Sequence, residues 1–318
     1  MRVPRRHRNS SVPRGVGDRL LYALCGAAGL FTLAVLGEIV LQVVHGASPA
    51  ISKFGLGFIS RSSWAPNFGV FGAAAAIYGT LISALAALAL AAPLGVAIGL
   101  YLSMIAPRPV RAVVGPLVEM LAAIPSVIVG FWGVAVLAPF AQQHLEPFLH
   151  DVLGFLPLFG APQTTGLSIF TASLGLTLMV LPIIAALSRD LFLTVPQELK
   201  DGAAALGATR WETIRGVVLP STVSGVVAAA VLGLGRALGE AIAVTQMIGD
   251  GAGVHASLFL PGNSLASRIA TEFNTPENKL HIPSLFYLAL ILLGIGLLTS
   301  LLARMIASRF DVQRVLAT

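Results

Sequence analysis

Six long hydrophobic blocks constrain this chain more than any other feature of its sequence. A helix needs roughly 20 mostly apolar residues to cross a bilayer, and each block is long enough. The alternating ten-residue pattern of a membrane barrel is absent, so the blocks predict α-helices. The expected fold class is therefore all-α, a polytopic membrane protein with about six transmembrane helices. The blocks lie at about 20–44, 72–104, 113–140, 167–188, 221–248 and 284–307.

The composition excludes an ordinary soluble domain, because 56% of the residues are hydrophobic and 11% are charged. The net charge of +6 does not require a nucleic-acid partner, since basic flanks beside anionic lipid account for it. Cys25 is the single cysteine, which excludes a disulfide framework. His144 and His150 lack a third ligand at metal spacing. We therefore expect neither a metal nor a cofactor.

The distribution of lysine and arginine predicts the orientation. Fifteen of these residues fall in the two termini and in the second and fourth connections, against four in the other connections. The positive-inside rule then places both termini in the cytoplasm of a multi-pass protein of the cell (cytoplasmic or inner) membrane. The predicted parts are a basic arm at 1–18, a first transmembrane helix with its external loop at 19–71, a transmembrane core at 72–307 and a cytoplasmic tail at 308–318.

A polar segment, residues 194–220, interrupts the hydrophobic blocks on the predicted cytoplasmic side. Two capping boxes, Thr194 with Gln197 and Thr209 with Glu212, predict two helix starts. Gly207 stands between them, where a left-handed residue would close the first helix. We therefore expect a helix, a turn and a second helix that ends before Pro220.

The first of these helices carries an apolar stripe of Leu199, Ala203 and Leu206. Spacing alone leaves two alternatives open. The stripe rests on the protein or lipid surface, or it binds a partner.

The polar segment resembles the EAA loop of the permeases of ABC importers. That pattern is Glu-Ala-Ala, three residues, Gly, nine residues, Ile, one residue and Leu-Pro. Here Asp replaces Glu, Gly replaces the first Ala and Val replaces Ile. In that family the loop is a coupling helix seated in a separate ATPase subunit, so the resemblance implies ATP-driven transport and the type I importer permease (MetI-like) fold. The matching residues are Asp201, Gly202, Ala203, Gly207, Val217, Leu219 and Pro220.

No G-x-x-x-x-G-K-[ST] phosphate loop occurs in the chain, so ATP hydrolysis is expected from partner subunits rather than from an enzyme activity of this chain.

Three further stretches resemble the PstC-type permeases of phosphate importers. The resemblance implies a second permease (PstA type), two ATPase subunits (PstB type) and a phosphate-binding protein (PstS type). The stretches are SSWAPNFGVFG with IYGTL, LAAIPSVIVGFWG and GLGRALGEAIAV.

Other transport classes remain as alternatives. Permeases for sulfate or molybdate share the same loop, so it does not define the anion. A secondary anion transporter would need carboxylates for a coupling ion and usually internal repeats, which we do not find. An anion channel would leave the polar segment without a role.

Arg236 and Glu240 are charged residues inside the fifth block, one helical turn apart. A charge at the bilayer centre costs about 2.5–3.5 kcal/mol on insertion scales, so the pair must face protein or water. Two interpretations are open from the residues alone: the charges neutralise each other, or Arg236 binds an anion. The resemblance to PstC-type permeases implies the second, with both residues on the substrate path.

Overall fold

The computed structural model describes residues 16–309 and confirms the predicted all-α fold. The predicted arm at 1–18 and the tail at 308–318 lie almost wholly outside the described residues. One isolated bridge, between Ala65 and Val70, is the extent of β pairing in this range. The α-helices are α1 (Val16–Phe54), α2 (Gly57–Ser60), α3 (Ala74–Leu100), α4 (Arg108–Ala122), α5 (Ser126–Trp132), α6 (Ala138–Phe140), α7 (Glu146–Leu153), α8 (Ile169–Thr194), α9 (Gln197–Ala205), α10 (Arg210–Thr213), α11 (Leu219–Gly239), α12 (Ile242–Met247), α13 (Leu265–Glu272) and α14 (His281–Arg309).

Six helical segments of the described chain are long and apolar enough to cross a membrane, as predicted. Several of them contain π-helical turns, which continue the helix with a wider hydrogen-bonding pattern. The π turns are Tyr101–Ile105, Gly133–Leu137, Ala141–Leu145 and Ile214–Val218. The candidate spans are Gly17–Phe54, Ala74–Ile105, Ser126–Leu153, Ile169–Thr194, Arg210–Gly239 and His281–Ile306.

The predicted third span, 113–140, is wrong in its position. Its first part belongs to α4, an amphipathic helix that ends at Ala122, and the span begins afresh at Ser126. Pro125 explains the break, because proline lacks an N–H and disfavours the helical conformation in the residue before it. The predicted external connection at 141–166 is correspondingly shorter, since the helix continues to Leu153.

The chain divides into two units, residues up to His45 and residues from Gly46 onward. In the first unit, Gln42 donates a hydrogen bond to the Glu38 carboxylate at 3.0 Å. In the second unit, the core lies between α3, α8, α11 and α12, and α8 is the most deeply buried of the candidate spans.

Small residues allow α3 to lie directly against α8. Ala84, Ala87 and Ala91 are fully buried on one side of α3, followed by Gly95 and Gly99 on the same helix. A Cβ atom on Gly99 would lie 2.8 Å from the Ala185 carbonyl oxygen of α8. Lipid provides no hydrophobic drive for helix association, so close backbone approach of this kind supplies the packing energy.

The connection between α12 and α14 folds back into the second unit rather than lying on its surface. The sequence suggests an amphipathic turn from Ser264 to Phe273 at the membrane interface, capped by Asn263. The helix is instead α13, with its first four residues buried, and Ser264 is the cap because its Oγ accepts from the Ser267 N–H at 3.1 Å. Asn263 donates to Asp250 at 2.6 Å.

We expect Gly99→Ala to destabilise the protein by about 1–3 kcal/mol, the usual cost of overpacking. The added methyl group would meet backbone atoms of α8, which cannot rotate away as a side chain can. In a helix without neighbours, the same substitution would stabilise by about 0.5–1 kcal/mol. Thermal melting of the purified full-length chain measures the effect.

Gly294→Ala in α14 is the matched control, because a Cβ there meets nothing within 4 Å. It should melt at or slightly above the temperature of the unmodified chain. Equal melting temperatures for the two variants would contradict the close packing of α3 on α8.

Candidate functional site

The fifth span is interrupted between its two charged residues and the segment that follows them. The sequence suggests one block from 221 to 248, but the helix begins already at Arg210 and α11 ends at Gly239. Glu240 adopts an extended conformation with ψ of 117°, and α12 starts at Ile242. The Glu240 carboxylate accepts from the Ala243 N–H at 3.4 Å, which partly satisfies the interrupted backbone.

Arg236 and Glu240 lie close together, but their ion pair is loose. The Nη2 and Oε2 atoms are 4.0 Å apart, at the outer limit for a salt bridge. The Glu240 side chain is 9% exposed, whereas that of Arg236 is 42% exposed. Most of the hydrogen-bonding capacity of the guanidinium group therefore remains available to another partner.

Arg236 lines two cavities. The first has a volume of about 750 Å³ and lies along α11, with Ile183 of α8 and Ser300 of α14 on its walls. Glu240 also borders it. The second has a volume of about 450 Å³, and its other lining side chains are apolar, from α4, α5, α8 and the turn between α4 and α5. The charged group therefore stands at the edge of a cavity that otherwise repels ions.

The polar segment forms the predicted turn but begins differently. Thr194 is the last residue of α8, and its hydroxyl donates to the Leu191 carbonyl at 2.7 Å instead of capping a helix. The predicted box at Thr194 and Gln197 is therefore wrong, and Pro196 precedes α9 without a side-chain cap. Proline suits this place, because the first N–H groups of a helix are unpaired anyway.

Gly207 and the second capping box are confirmed, whereas the predicted end of the second helix is wrong. Gly207 has a φ of +85°, the left-handed conformation that closes a helix. The capping box is formed, with the Glu212 carboxylate accepting from the Thr209 N–H at 2.7 Å. Pro220 does not end this second helix, because it stands in the first turn of α11 and the helix runs on.

The predicted coupling residues fall into an exposed group and an anchored group. Asp201, Gly202 and Ala203 lie on α9, which has no fully buried residue. Val217 and Leu219 pack against a buried apolar cluster at the end of the bundle. Residues 197–213, here called the α9 region, also expose large apolar side chains, with Leu206 at 92%, Trp211 at 61% and Leu199 at 51%.

Sequence reasoning missed a buried charged cluster around Arg268, which it counted as a loop charge. The Arg268 side chain is 7% exposed, and its guanidinium lies 4.9 Å from the centre of the Trp64 ring. Its nitrogen atoms lie 3.6 Å from Asp250 and 3.4 Å from Glu272. Burial lowers the pKa of Arg268, and the two carboxylates oppose that shift.

The Glu272 carboxylate joins this cluster to α14. It accepts from the Trp64 indole N–H at 2.8 Å and lies 2.7 Å from His281 Nε2. His281 Nδ1 accepts from the Glu277 N–H, so the ring proton resides on Nε2 and is donated to Glu272. The S-x-x-S spacing of Ser264 and Ser267 marks the start of α13, but no local sequence pattern predicts that this helix is buried.

A second missed contact joins α4 to α8. Arg189 Nη2 lies 2.8 Å from Glu119 and equally close to Asp190. A Cβ on Gly115 would lie 3.2 Å from this guanidinium, so a glycine makes room for it. The pair holds the amphipathic helix beside the buried span.

No group of three metal-ligating side chains occurs among residues 16–309.

Comparison with known proteins places these features in context. Residues 91–312 match the family described as binding-protein-dependent transport system inner membrane component. The chain is 39% identical over 314 residues to the phosphate transport system permease protein PstC of Mesorhizobium japonicum, covering 97% of this chain and 96% of that protein. It is 42% identical to the PstC of Pasteurella multocida, covering 89% of each chain.

Solved structures resemble the fold. A chain of a bacterial alginate ABC transporter, solved with an alginate-bound periplasmic protein, aligns with a TM-score of 0.61 at 16% identity and covers 92% of this chain and 96% of its own. A chain of the MetNI methionine ABC transporter aligns with a TM-score of 0.51 at 19% identity, covering 73% and 91%. At these identities the similarity supports the type I permease fold alone.

We expect the side chain at position 236 to be reachable from water. In a Cys25→Ser background, Arg236→Cys should react with a charged, water-soluble thiol reagent in the purified chain, because its side chain borders two cavities. Ala237→Cys is the matched control, since Ala237 is 4% exposed. Labelling is read by mass spectrometry, and equal labelling at both positions would contradict the described cavities.

Proposed function

Because the chain belongs to the family of binding-protein-dependent transport system inner membrane components, and within it to the PstC-type permeases, we propose that it forms the path for inorganic phosphate across the membrane. The observation that carries this proposal is Arg236. It is a cation within a membrane span, 42% exposed and loosely paired, at the border of two cavities. The protein is a membrane component of an ABC importer rather than a catalytic enzyme.

The chemistry of the guanidinium group suits phosphate. Its planar fork of N–H donors matches two oxygens of one phosphate group, and it stays charged at any physiological pH. Phosphate near neutral pH is a mixture of monoanion and dianion. Glu240 would accept a hydrogen bond from a protonated phosphate oxygen, as a carboxylate does from a hydroxyl donor. A phosphate that still carries a proton would therefore satisfy both residues.

The cavity requires a partner to become a path. Both cavities border the surface of this single chain; Trp132 of α5 lines the second one, and both Trp132 and the neighbouring Phe131 are exposed. We infer that a second permease of PstA type covers this face. Two ATPase subunits of PstB type and a phosphate-binding protein of PstS type complete the importer, with both termini of this chain in the cytoplasm.

We expect Arg236→Gln to abolish phosphate uptake while the ATPase subunits still co-purify. Arg236→Lys should also transport poorly, because an ammonium group lacks the bidentate fork. Uptake of labelled phosphate, in cells without another phosphate system, measures the effect. An excess of sulfate should leave uptake by the unmodified protein unchanged, and competition by sulfate would favour a broader oxyanion permease.

The double variant, Arg236→Gln with Glu240→Gln, separates anion binding from simple neutralisation. If the two charges merely balance each other, removing both should restore transport that either single change impairs. We expect the double variant to remain inactive, because the anion then meets no cation. Near-normal uptake in that variant would refute the role of Arg236 on the substrate path.

The α9 region is the surface we propose for coupling to the ATPase. Its apolar side chains, Leu199 and Leu206, are exposed although the helix stands next to the membrane spans. The residues that resemble the EAA loop, Asp201, Gly202, Ala203 and Gly207, lie on this helix and its turn. Val217, Leu219 and Pro220 anchor the same segment in the bundle. Exposed apolar side chains on a helix whose following segment is anchored in the bundle suit docking into a groove of the ATPase.

We expect Leu206→Asp to weaken ATPase binding by more than about a hundredfold, because an unpaired charge buried at an interface costs about 3–5 kcal/mol. Leu206 is 92% exposed, so the isolated chain should insert and melt normally. Co-purification of the ATPase subunits measures the effect.

The matched control is Leu56→Asp. Leu56 is 81% exposed and lies in the turn between α1 and α2, on the predicted external side. It should retain the ATPase. Equal retention of the ATPase by both variants would contradict docking at α9.

A further inference from the structure

A third cavity, with a polar lining, lies beside α9 and does not include Arg236. Its volume is about 450 Å³. Its walls come from the ends of three spans and from the helices beside them, so it opens where the bundle leaves the membrane. We call it the basic cavity. The residues that matter for the argument are Met104, Arg111, Lys200, Asp201, Arg210 and Val218.

The charges of the basic cavity are unbalanced. Three cations from three helices, Arg111, Lys200 and Arg210, share the lining with the single carboxylate of Asp201. None of the ion pairs found within residues 17–306 includes any of these three cations. Like charges around one cavity repel one another, and an anion between them would remove that cost.

One of the three cations is already held in position. Arg111 Nη2 donates to the carbonyl oxygens of Ser103 at 2.9 Å and Ala106 at 3.4 Å, at the end of the π turn that follows α3. These two bonds use one nitrogen of the guanidinium. The remaining N–H groups are free to meet a ligand, and the side chain loses little entropy on binding.

The floor of the cavity is apolar. Met104 and Val218 line it and also belong to the apolar cluster built on Phe192 and Val195. A free inorganic ion would gain nothing from such a floor. A molecule with an anionic head and an apolar body would satisfy both parts of the lining.

We propose that the basic cavity binds the phosphodiester headgroup of an anionic membrane lipid. Basic pockets at the ends of membrane helices suit such headgroups, because arginine forks bind phosphate oxygens and the acyl chains remain in the bilayer. The lipid would join Arg111 of α4 to Lys200 of α9. It would therefore hold the proposed coupling helix against the bundle, and this role does not depend on which solute the path carries.

The test uses the full-length chain with its co-purifying subunits, in nanodiscs of phosphatidylcholine with or without phosphatidylglycerol. Native mass spectrometry measures how much phosphatidylglycerol stays bound. We expect Lys200→Gln with Arg210→Gln to bind it about 25-fold more weakly, since each basic residue contributes roughly fivefold. Arg215→Gln is the control, because exposed Arg215 lies outside the lining. Arg210→Gln is also measured alone, since Arg210 belongs to the lining.

Arg215→Gln alone should retain phosphatidylglycerol, and Arg210→Gln alone should show an intermediate loss. Equal retention by the Lys200 and Arg210 double variant and by Arg215→Gln would overturn the proposal. Two other results would also overturn it. In one, added inorganic phosphate displaces the lipid or binds in its place, which assigns a free-anion site. In the other, the double variant keeps the lipid but loses the ATPase subunits, which assigns the cations to protein contact.

Discussion

The close contact of α3 with α8 is the interaction on which the second unit depends. Apolar side chains gain little from leaving lipid for another helix, so helices must associate through close packing and hydrogen bonds. Small residues on α3, from Ala84 to Gly99, provide that closeness. With α8 buried in this way, α11 packs on it through Gly233, where a Cβ would meet Val180. The position of Arg236, one turn further along α11, follows from this packing.

Arg268 and Arg236 differ in how their charges are balanced. Arg268 is 7% exposed and is surrounded by two carboxylates and an indole ring, so its charge is satisfied within the protein. Arg236 is 42% exposed, and its one carboxylate lies 4.0 Å away. A purely structural arginine gains nothing from a loose partner and an adjoining cavity. The contrast supports a structural role for Arg268 and a ligand for Arg236.

Local patterns predicted local structure well and tertiary burial poorly. Hydrophobic length identified six spans, and Gly207 and the Thr209–Glu212 box marked a turn whose geometry is set by neighbouring residues. The third span was misplaced because a hydrophobicity window does not register the break at Pro125. Thr194 failed as a cap because its helix had not yet ended, and its hydroxyl was free to bond backward. The burial of Arg268 depends on Trp64, which is distant in sequence.

The continuous helix from Arg210 to Gly239 connects the two parts of the proposed mechanism. It begins at the capping box next to the Gly207 turn and carries Arg236 in its last turn. At 1.5 Å per residue, the distance from Arg210 to Arg236 is about 40 Å, which spans the membrane. The π turn at Ile214–Val218 precedes Pro220, which lacks an N–H to bond back into it. Val217 and Leu219 pack into the apolar cluster at this end, next to the π turn that lies between α10 and α11. One continuous helical segment therefore joins the segment that resembles the EAA loop to the proposed phosphate site.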